Sequence, residues 1–459
     1  MTLIKSISGI RGTIGGNPGE NLTPLDVLHF TTAYAYFIKK QNDSSKEIVI
    51  GRDARISGKM ISNIVSGVLI GCGLDVLDIG LSTTPTVEMA VKLRKSAGGI
   101  IITASHNPKE WNALKLLNNN GEFLSKQNGE KILEFVDNND YCFSNIDRIG
   151  KYGFNDTYNN KHIEEVLNLP LVDVDLVRSS HFKVVLDGVN SSGGIIIPEL
   201  LNRMGVDCIK LFCDPNGNFP HDPEPLPENL SVASKLVIKE GANLGIVVDP
   251  DVDRLAMICE DGSMFGEEYT LVAVSDYVLS KKPGNTVSNL SSTRALREVT
   301  ESYHCNYMPS AVGEVNVVNK MKEINAVIGG EGNGGVIYPE LHYGRDALVG
   351  IALFLTHLAS CKLSMTKLKS TYPKYFISKN KIKLDDSIDL DNILQLLGEK
   401  YKDEELTIID GLKIDFDDSW IHLRKSNTEP IIRIYSESKS KKLADKLANQ
   451  IITDIKDII

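Results

Sequence analysis

The sequence predicts an α/β protein in which three similar α/β modules precede a C-terminal α+β module. Three observations carry this prediction. First, a chain of 459 residues is too long for one hydrophobic core and suits roughly three or four domains. Second, short apolar strands alternate with helical patterns up to about residue 369. Third, from about residue 370 the strands are short and follow one another closely, which is typical of an α+β module.

In the first module, apolar strands at 48–50, 74–79 and 99–102 are separated by two segments with helical periodicity. This β-α-β-α-β order is typical of a sheet covered by helices on both faces. A polar stretch at 137–160, rich in Asn and Asp, indicates a linker. The second and third modules repeat the alternation. We therefore expect four domains, at 1–150, 151–258, 259–369 and 370–459.

The composition indicates a globular protein and argues against several classes. Hydrophobic residues make up 42% of the chain and charged residues 24%, and no apolar run approaches the ~18 residues of a membrane span. The start of the chain lacks the apolar stretch of a signal peptide. Seven scattered cysteines without a C-x-x-C pair favour a reduced, cytoplasmic protein without a zinc or disulfide framework. A net charge of −10 argues against nucleic-acid binding.

The loop at 103–108, Thr-Ala-Ser-His-Asn-Pro, is the candidate reactive segment of the first module. Reactive groups of α/β proteins lie outside the carboxyl ends of the strands, and Ser105 places a hydroxyl there. Pro108 enforces a turn directly afterwards. An ordinary solvated loop would have the same composition. Near the start of the chain, Arg11 lies in a glycine-flanked turn, from which a guanidinium can approach a phosphate.

The strand at 244–248 ends in Asp249-Pro250-Asp251-Val252-Asp253-Arg254. Three carboxylates at alternate positions of a non-helical segment can converge on one hard cation, and oxygen ligands select Mg²⁺, Ca²⁺ or Mn²⁺. An EF-hand also begins D-x-D-x-D, with Glu260 at its twelfth position. However, Arg254 stands where that loop needs glycine, and the flanking segments read as strands. A polar loop that binds no metal is the simpler alternative.

Two further loops have compositions that suit a phosphorylated sugar. The segment at 329–335 surrounds Glu331 and Asn333 with five glycines, so Glu331 can accept hydrogen bonds from sugar hydroxyls. A flexible hinge is the alternative. In the fourth module, the segment at 424–430 and the nearby Arg433 combine cations, hydroxyls and turn amides, which suits a phosphate dianion. A hairpin turn is the alternative there.

A hydroxyl, a hard-metal site, a sugar acceptor and a phosphate loop are the parts of phosphoryl transfer. The loops G-I-R-G, T-A-S-H-N-P, D-P-D-V-D-R and R-K-S-N-T-E-P occur in this order along nearly the whole chain. In these loops the sequence resembles the α-D-phosphohexomutase family. The resemblance implies a heart-shaped arrangement of four domains around one cleft: three α/β domains with mixed sheets and a C-terminal α+β domain.

The resemblance also implies roles for individual residues. Ser105 would be carried as phosphoserine with Mg²⁺ beside it, and Lys115 would transfer a proton if burial and neighbouring cations depress its pKa. The candidate metal ligands, all oxygen donors, are Ser105, Asp249, Asp251 and Asp253. The candidate catalytic residues are Arg11, Ser105, His106, Lys115 and Arg254. The candidate substrate-binding residues are Gly313, Glu331, Asn333, Arg424, Ser426, Asn427, Thr428 and Arg433.

The activity that the resemblance implies is interconversion of a hexose 6-phosphate and a hexose 1-phosphate through a hexose 1,6-bisphosphate. Many members have G-E-x-S-G-H in the sugar loop, whereas this chain has Asn333 in place of Ser and Gly335 in place of His. Gly335 cannot titrate, and His342 is a candidate substitute. The variant loop resembles that of a bacterial and archaeal branch of the family assigned to glucosamine phosphate. This resemblance implies conversion of glucosamine-6-phosphate to glucosamine-1-phosphate for UDP-N-acetylglucosamine synthesis. A phosphomannomutase or phosphoglucomutase is the alternative.

Two functions of other classes also fit parts of the pattern. A phosphosugar-binding protein without turnover would not need Ser105, Lys115 and the three aspartates together. A metal-dependent phosphatase would not need a second phosphate site in the fourth module. We expect a phosphorylated hexose as the partner, no nucleic acid or membrane, and a monomer or homodimer. We also expect the fourth domain to close over the intermediate, because water would hydrolyse a phosphoserine.

Overall fold

The computed structural model describes residues 1–6, 9–41, 45–138, 141–383, 390–425 and 431–458. These residues form four sheets with their helices, which confirms three α/β domains with mixed sheets followed by a domain built on an antiparallel sheet. Within the described ranges, no helix has both the length and the apolar character needed to cross a membrane.

The first sheet has seven strands in the order β1-β2-β6-β5-β3-β4-β7. β3 pairs in parallel with β4 and β5, whereas β6 runs antiparallel to both β5 and β2. The strands are β1 Ile4–Ser6, β2 Gly9–Thr13, β3 Glu47–Arg52, β4 Asp75–Leu81, β5 Gly98–Ile102, β6 Trp111–Leu117 and β7 Tyr152–Phe154. The helices are α1 Pro24–Lys40, α2 Gly58–Gly71, α3 Thr84–Arg94 and α4 Lys126–Asn138.

The second sheet has the order β11-β10-β8-β9, with β8 at its centre and β11 antiparallel at one edge. β10 is buried along its whole length, which agrees with its continuous apolar sequence. The strands are β8 Lys183–Asp187, β9 Asp207–Leu211, β10 Leu244–Val248 and β11 Leu255–Cys259. The helices are α5 Tyr158–Leu167, α6 Val174–Ser179, α7 Gly193–Arg203 and α8 Ser231–Glu240.

The third sheet has the order β13-β12-β14-β15. Helix α12 is almost entirely buried, and its N-cap Asp346 accepts hydrogen bonds from the amides of Leu348 and Val349. The strands are β12 Thr286–Asn289, β13 Tyr307–Ser310, β14 Ile328–Glu331 and β15 Gly335–Ile337. The helices are α9 Glu267–Lys281, α10 Ala295–Ser302, α11 Glu314–Glu323, α12 Ala347–Cys361 and α13 Met365–Ser370.

The fourth sheet is antiparallel throughout, in the order β16-β20-β19-β18-β17, and one face packs against the last helix. Arg424 and Arg433 are directly paired across β19 and β20. The strands are β16 Phe376–Lys383, β17 Glu405–Thr407, β18 Leu412–Phe416, β19 Ser419–Lys425 and β20 Ile431–Ser438. The helices are α14 Leu390–Lys400 and α15 Lys441–Ile458.

The predicted strands at 48–50, 74–79 and 99–102 are present, each within a few residues of its expected bounds. The stretch expected as a linker contributes β7, which pairs in parallel with β4. The first sheet therefore extends past the expected bound at residue 150. β11 likewise carries the second sheet to Cys259, one residue past the expected bound at 258.

A buried polar cluster joins the first three domains. His162, on α5, lies with Nε2 2.9 Å from Asp346 Oδ2 and with Nδ1 2.9 Å from the hydroxyl of Thr86 on α3. His342 Nε2 lies 3.2 Å from the same Asp346 oxygen, and its Nδ1 lies 3.4 Å from Glu88 Oε2. All five side chains are buried, so this inter-domain cluster fixes the three domains against one another.

Candidate functional site

The segment after β5 turns sharply at Ser105, whose φ of 49° lies in the left-handed region. The Thr103 hydroxyl stabilises the turn: it accepts a 2.9 Å hydrogen bond from the Ser105 amide and donates a 2.7 Å bond to Asp53. The Ser105 hydroxyl is thereby turned toward Asp249 of the second domain.

Arg55 stabilises this turn through hydrogen bonds to its carbonyl groups, a role that the sequence did not reveal. Its Nη2 donates to the carbonyls of Ser105 and Asn107 at 2.6 Å each, and its Nη1 donates to the carbonyls of Pro108 at 2.6 Å and Trp111 at 2.9 Å. Its Nε pairs with Asp53 at 3.1 Å. A fully buried guanidinium thus satisfies four carbonyls of one loop.

The Ser105 hydroxyl donates a 2.7 Å hydrogen bond to Asp249 Oδ2, so the loops of the first and second domains meet at this pair. His106 Nδ1 lies 3.3 Å from the same hydroxyl. The segment after β10 curls around the other Asp249 oxygen, which accepts hydrogen bonds from the amides of Asp253 and Arg254. This geometry aligns Ser105 with the segment 249–254, the acidic loop.

Asp251 and Asp253 complete a buried group of three carboxylates, and one oxygen of each lies within 4.8 Å of the others. Lys115, on β6, donates to Asp251 Oδ2 at 2.7 Å and lies 3.4 Å from Asp253 Oδ2. The other oxygen of each carboxylate, Oδ1, is buried and has no hydrogen-bond partner among the described residues. Two such oxygens beside Asp249 and the serine hydroxyl suit a hard divalent cation.

The pKa values reflect this crowding. Burial, followed by the charges of Asp253 and Asp251, raises the pKa of Asp249 well above its ordinary value. Burial opposes ionisation of Asp253, but Arg345, Lys115 and Arg254 overcome it and lower its pKa. Burial alone would lower the pKa of Lys115, yet Asp251 and Asp253 raise it above the ordinary value. The condition set for proton transfer by Lys115, a depressed pKa, is therefore not met in this arrangement, because two carboxylates rather than cations are its closest charged neighbours.

Arginines from three domains face the same region. Burial, then the charges of Arg433 and Arg254, lowers the pKa of Arg11, so these guanidinium groups lie close enough to repel that of Arg11. Arg254 pairs with Glu224 at 3.0 Å. The Arg424 Nε is buried without a partner in the described part of the chain. The other predicted residues of the phosphate loop, Ser426, Asn427 and Thr428, lie outside the described residues.

In the sugar loop, Glu331 is buried at the end of β14 and is already well hydrogen-bonded. Its Oε1 accepts from Asn289 Nδ2 at 2.8 Å and from the Gly313 amide at 3.1 Å. Asn333 Nδ2 lies 3.4 Å from Glu331 Oε2, and its Oδ1 accepts from the Gly335 amide. Burial works against ionisation of Glu331, but Arg345 outweighs it and the pKa is lowered. The structure therefore brings the three candidate residues Glu331, Asn333 and Gly313 into contact with one another at Glu331.

Arg345 connects the sugar loop to the acidic loop, and sequence reasoning missed it. Its Nη1 donates to Glu331 at 2.8 Å, its Nη2 to Asp253 at 2.7 Å and its Nε to Glu314 at 3.0 Å. One signal was available: Arg345 directly precedes the N-cap of a largely apolar helix, where a buried charge needs carboxylate partners. His342, the candidate substitute for a loop histidine, instead directs both ring nitrogens to carboxylates of the inter-domain cluster.

The comparisons with known proteins agree with this geometry. Models of the phosphoglucomutase/phosphomannomutase family match in order: alpha/beta/alpha domains I, II and III at 3–142, 160–262 and 266–375, and the C-terminal domain at 380–453. A phosphoglucomutase/phosphomannomutase of Thermococcus kodakarensis is 34% identical over 440 residues, 94% of this chain and 95% of the relative.

Two further comparisons extend the similarity. A phosphoglucosamine/phosphogalactosamine mutase of Sulfurisphaera tokodaii is 30% identical over 456 residues, 96% of this chain and 97% of that protein. Among solved structures, a phosphoglucomutase/phosphomannomutase family protein from Burkholderia thailandensis has the same fold. The TM-score is 0.86 at 24% identity, and the alignment covers 99% of this chain and 97% of that one.

Proposed function

Because the chain belongs to the phosphoglucomutase/phosphomannomutase family, which is a family of isomerases, we propose that it interconverts glucosamine-6-phosphate and glucosamine-1-phosphate. Ser105 carries the phosphoryl group between turnovers. A hexose 1,6-bisphosphate is the intermediate and, in catalytic amount, the activator. The product serves the synthesis of UDP-N-acetylglucosamine.

The observation that carries this proposal is the contact between Ser105 and Asp249. A hydroxyl held 2.7 Å from one of three buried carboxylates is an unusual environment, because the carboxylates repel one another unless a cation joins them. Arginines of three domains face the same region. Such a site suits a phosphorylated serine, whose charge the arginines and the metal neutralise.

Asp249, Asp251 and Asp253 would hold Mg²⁺ together with the Ser105 oxygen, since two of their oxygens are buried without a partner among the described residues. When bound, Mg²⁺ would neutralise charge on the transferred phosphoryl group. The chain's own residues then bind and orient the sugar and move its protons.

In the first half-reaction, the bond between phosphorus and the Ser105 oxygen breaks and a bond to the free sugar hydroxyl oxygen forms. The hydroxyl loses its proton, and the serine oxygen gains one. Burial, followed by the charge of Arg254, holds the pKa of His106 well below its ordinary value, so its ring stays neutral. With Nδ1 3.3 Å from the Ser105 oxygen, it orients that oxygen while the proton of the sugar hydroxyl passes to it. Lys115 stays protonated and serves as a cation. The second half-reaction repeats these changes in reverse on the other phosphate, after the bisphosphate has turned around.

Glu331 and Asn333 support the assignment of the sugar. Glu331 remains ionised, so it can exchange its long 3.4 Å contact with Asn333 Nδ2 for a hydrogen bond from a sugar hydroxyl or amino group. The Asn333 carboxamide adds a further acceptor and donor beside it. Arg424, Arg433 and the segment 426–428 would bind the phosphate that does not react. The 34% identity to a phosphoglucomutase/phosphomannomutase keeps mannose and glucose phosphates as the second candidate substrates.

An isomerisation assay tests the proposal. Purified protein with Mg²⁺ and a catalytic amount of hexose 1,6-bisphosphate is given glucosamine-6-phosphate, mannose-6-phosphate or glucose-6-phosphate, and kcat/KM is compared. We expect the highest value for glucosamine-6-phosphate and no activity in Ser105→Ala. Faster turnover of mannose or glucose phosphate would favour the second candidates. Full activity in Ser105→Ala, or release of phosphate as fast as the isomer forms, would contradict the mutase mechanism.

A further inference from the structure

The Arg345 guanidinium lies between three buried carboxylates, one from the acidic loop and two from the third domain. It contacts Asp253 at 2.7 Å, Glu331 at 2.8 Å and Glu314 at 3.0 Å, and the Arg345 amide donates a further 3.1 Å bond to Glu314. Since the guanidinium is planar and rigid, these contacts set the separation between Asp253 and Glu331. The acidic loop and the sugar loop are thus connected through the Arg345 side chain.

The carbon stem of Arg345 occupies the space that a side chain at position 335 would need. A Cβ built on Gly335 would lie 2.3 Å from Arg345 Cδ and 2.9 Å from Arg345 Cγ, both closer than real carbon contacts allow. The backbone at Gly335 does not itself require glycine, because its φ lies outside the left-handed region that the neighbouring Gly334 occupies at 87°. The absence of a side chain at position 335 is therefore explained by Arg345.

Arg345 cannot easily swing aside to admit a side chain at position 335. Its three carboxylate partners are buried, and a charge-assisted hydrogen bond in such a place is lost at high cost when its geometry is broken. A methyl group at position 335 would push the carbon stem of Arg345 by about an ångström. That shift would also move Nη1 and Nη2, which bind Glu331 and Asp253.

We propose that Arg345 is a positioning residue that holds Glu331 for the sugar and Asp253 for the metal at a fixed separation, and that Gly335 is needed to make room for it. This inference rests on the proposed function, in which Glu331 contacts sugar hydroxyls and Asp253 is a metal ligand. Positions 335 and 345 then act as one unit: a side chain can fill this space from one position only.

Gly335→Ala tests the inference with the smallest possible change. We expect the KM for the hexose phosphate to rise about 10-fold. The Mg²⁺ concentration needed for half-maximal thermal stabilisation should rise several-fold, and the Tm of the metal-free protein should fall. A simple loss of stability would lower the Tm without raising both of these values. Gly67→Ala is the matched control, because nothing lies within 4 Å of a Cβ at this position of α2, and it should match the wild type.

A double-mutant cycle with Arg345→Ala shows whether the new methyl group acts through the arginine. We expect Gly335→Ala to have an effect of less than about 2-fold once Arg345 is alanine, although it has the full effect in the wild type. Additive effects in the cycle, or wild-type KM and Mg²⁺ response in Gly335→Ala, would overturn the inference. If a variant of the cycle does not fold, Arg345→Lys provides the test. Lysine keeps the positive charge but lacks the planar guanidinium, so the KM and the Mg²⁺ concentration for half-maximal stabilisation should both rise.

The two readouts separate this inference from the proposed function. If the wild-type protein isomerises no hexose phosphate, the proposed function fails, and the cycle is then read on the Mg²⁺ response alone. Coupled effects of positions 335 and 345 on that response would support the link between Arg345 and Asp253 without any activity. Independent effects would refute the link whatever the enzyme converts.

Discussion

Arg55 Nη2 donates a 2.6 Å hydrogen bond to the carbonyl oxygen of Ser105. A left-handed serine is unfavourable unless its surroundings hold it, and this bond is one of four that Arg55 makes to carbonyls of the same loop. The Ser105 hydroxyl, which we propose to carry the phosphoryl group, is therefore positioned by a residue fifty places earlier in the chain that has no contact with the substrate in the proposed reaction.

Arg55→Lys should lower kcat by about 100-fold, because an ammonium group cannot reach four carbonyls at once and Ser105 would shift relative to Asp249. The KM for the sugar should change much less. Steady-state kinetics at saturating Mg²⁺ measures both values. Arg94→Lys is the control, since Arg94 is half exposed and pairs with Glu47 at the far end of β3. Equal kcat values in both variants would show that Arg55 does not position the serine.

Removal of divalent metal with a chelator should abolish activity, and Mg²⁺ should restore it. Mg²⁺ should also stabilise the wild-type protein against heat, by about 2.7 kcal/mol at 100 times the dissociation constant, because it relieves repulsion between the three carboxylates. A thermal melt with increasing Mg²⁺ measures this. The stabilisation should disappear in Asp251→Asn and persist in Asp261→Asn, a change in an exposed turn of the same domain. Equal stabilisation of both variants would place the cation elsewhere.

Arg294 holds the fourth domain against the third, because it donates to the carbonyls of Asp417 and Phe416 and to the Asp415 carboxylate. Arg294→Met keeps the length of the stem but removes these bonds. We expect the ratio of phosphate release to isomer formation to rise about 10-fold, since water would reach the phosphoserine more often. Glu301→Gln is the control, because Glu301 is exposed near the end of α10, the helix whose N-cap is Arg294. An unchanged ratio would mean that this contact does not govern exclusion of water.

His422 also lies between these two domains, with Nδ1 2.9 Å from the Ser291 hydroxyl and Nε2 2.7 Å from the Asp410 carbonyl oxygen. Burial outweighs the Asp410 carbonyl and lowers the pKa of His422 to about 4. Between that value and its ordinary pKa, the unfolded chain binds the proton more readily than the folded one. Stability contributed by this group is therefore complete above about pH 6.5 and is lost as the pH falls toward 4.

The free energy of unfolding should consequently fall by about 2 kcal/mol more in the wild type than in His422→Gln between pH 7 and pH 4.5. Urea titrations at the two pH values measure the difference. His29→Gln, an exposed position of α1, serves as the matched variant and should lose as much stability as the wild type. If His422→Gln shows the same loss, the group titrates in the folded protein as it does in the unfolded chain.

The sequence could predict the parts of the fold and of the site that are local. The strand at 244–248, the acidic loop after it and the position of Ser105 follow from short patterns of apolar and polar residues. β6 was missed, because it carries Asn112 and Lys115 and lacks the continuous apolar run of β5. The partners of Arg55 and Arg345 could not be predicted, since they lie up to 92 residues away and are set by how the domains pack.

The inter-domain cluster of Thr86, Glu88, His162, His342 and Asp346 has a mechanical consequence for the proposed reaction. Because buried hydrogen bonds fix three domains to one another, Ser105 and its acidic partners keep one separation from Glu331 during both half-reactions. The same fixed arrangement of Ser105, its acidic partners and Glu331 then faces either end of the sugar. The reversal that exchanges the two phosphates is then a movement of the ligand, and only the C-terminal domain has to yield space for it.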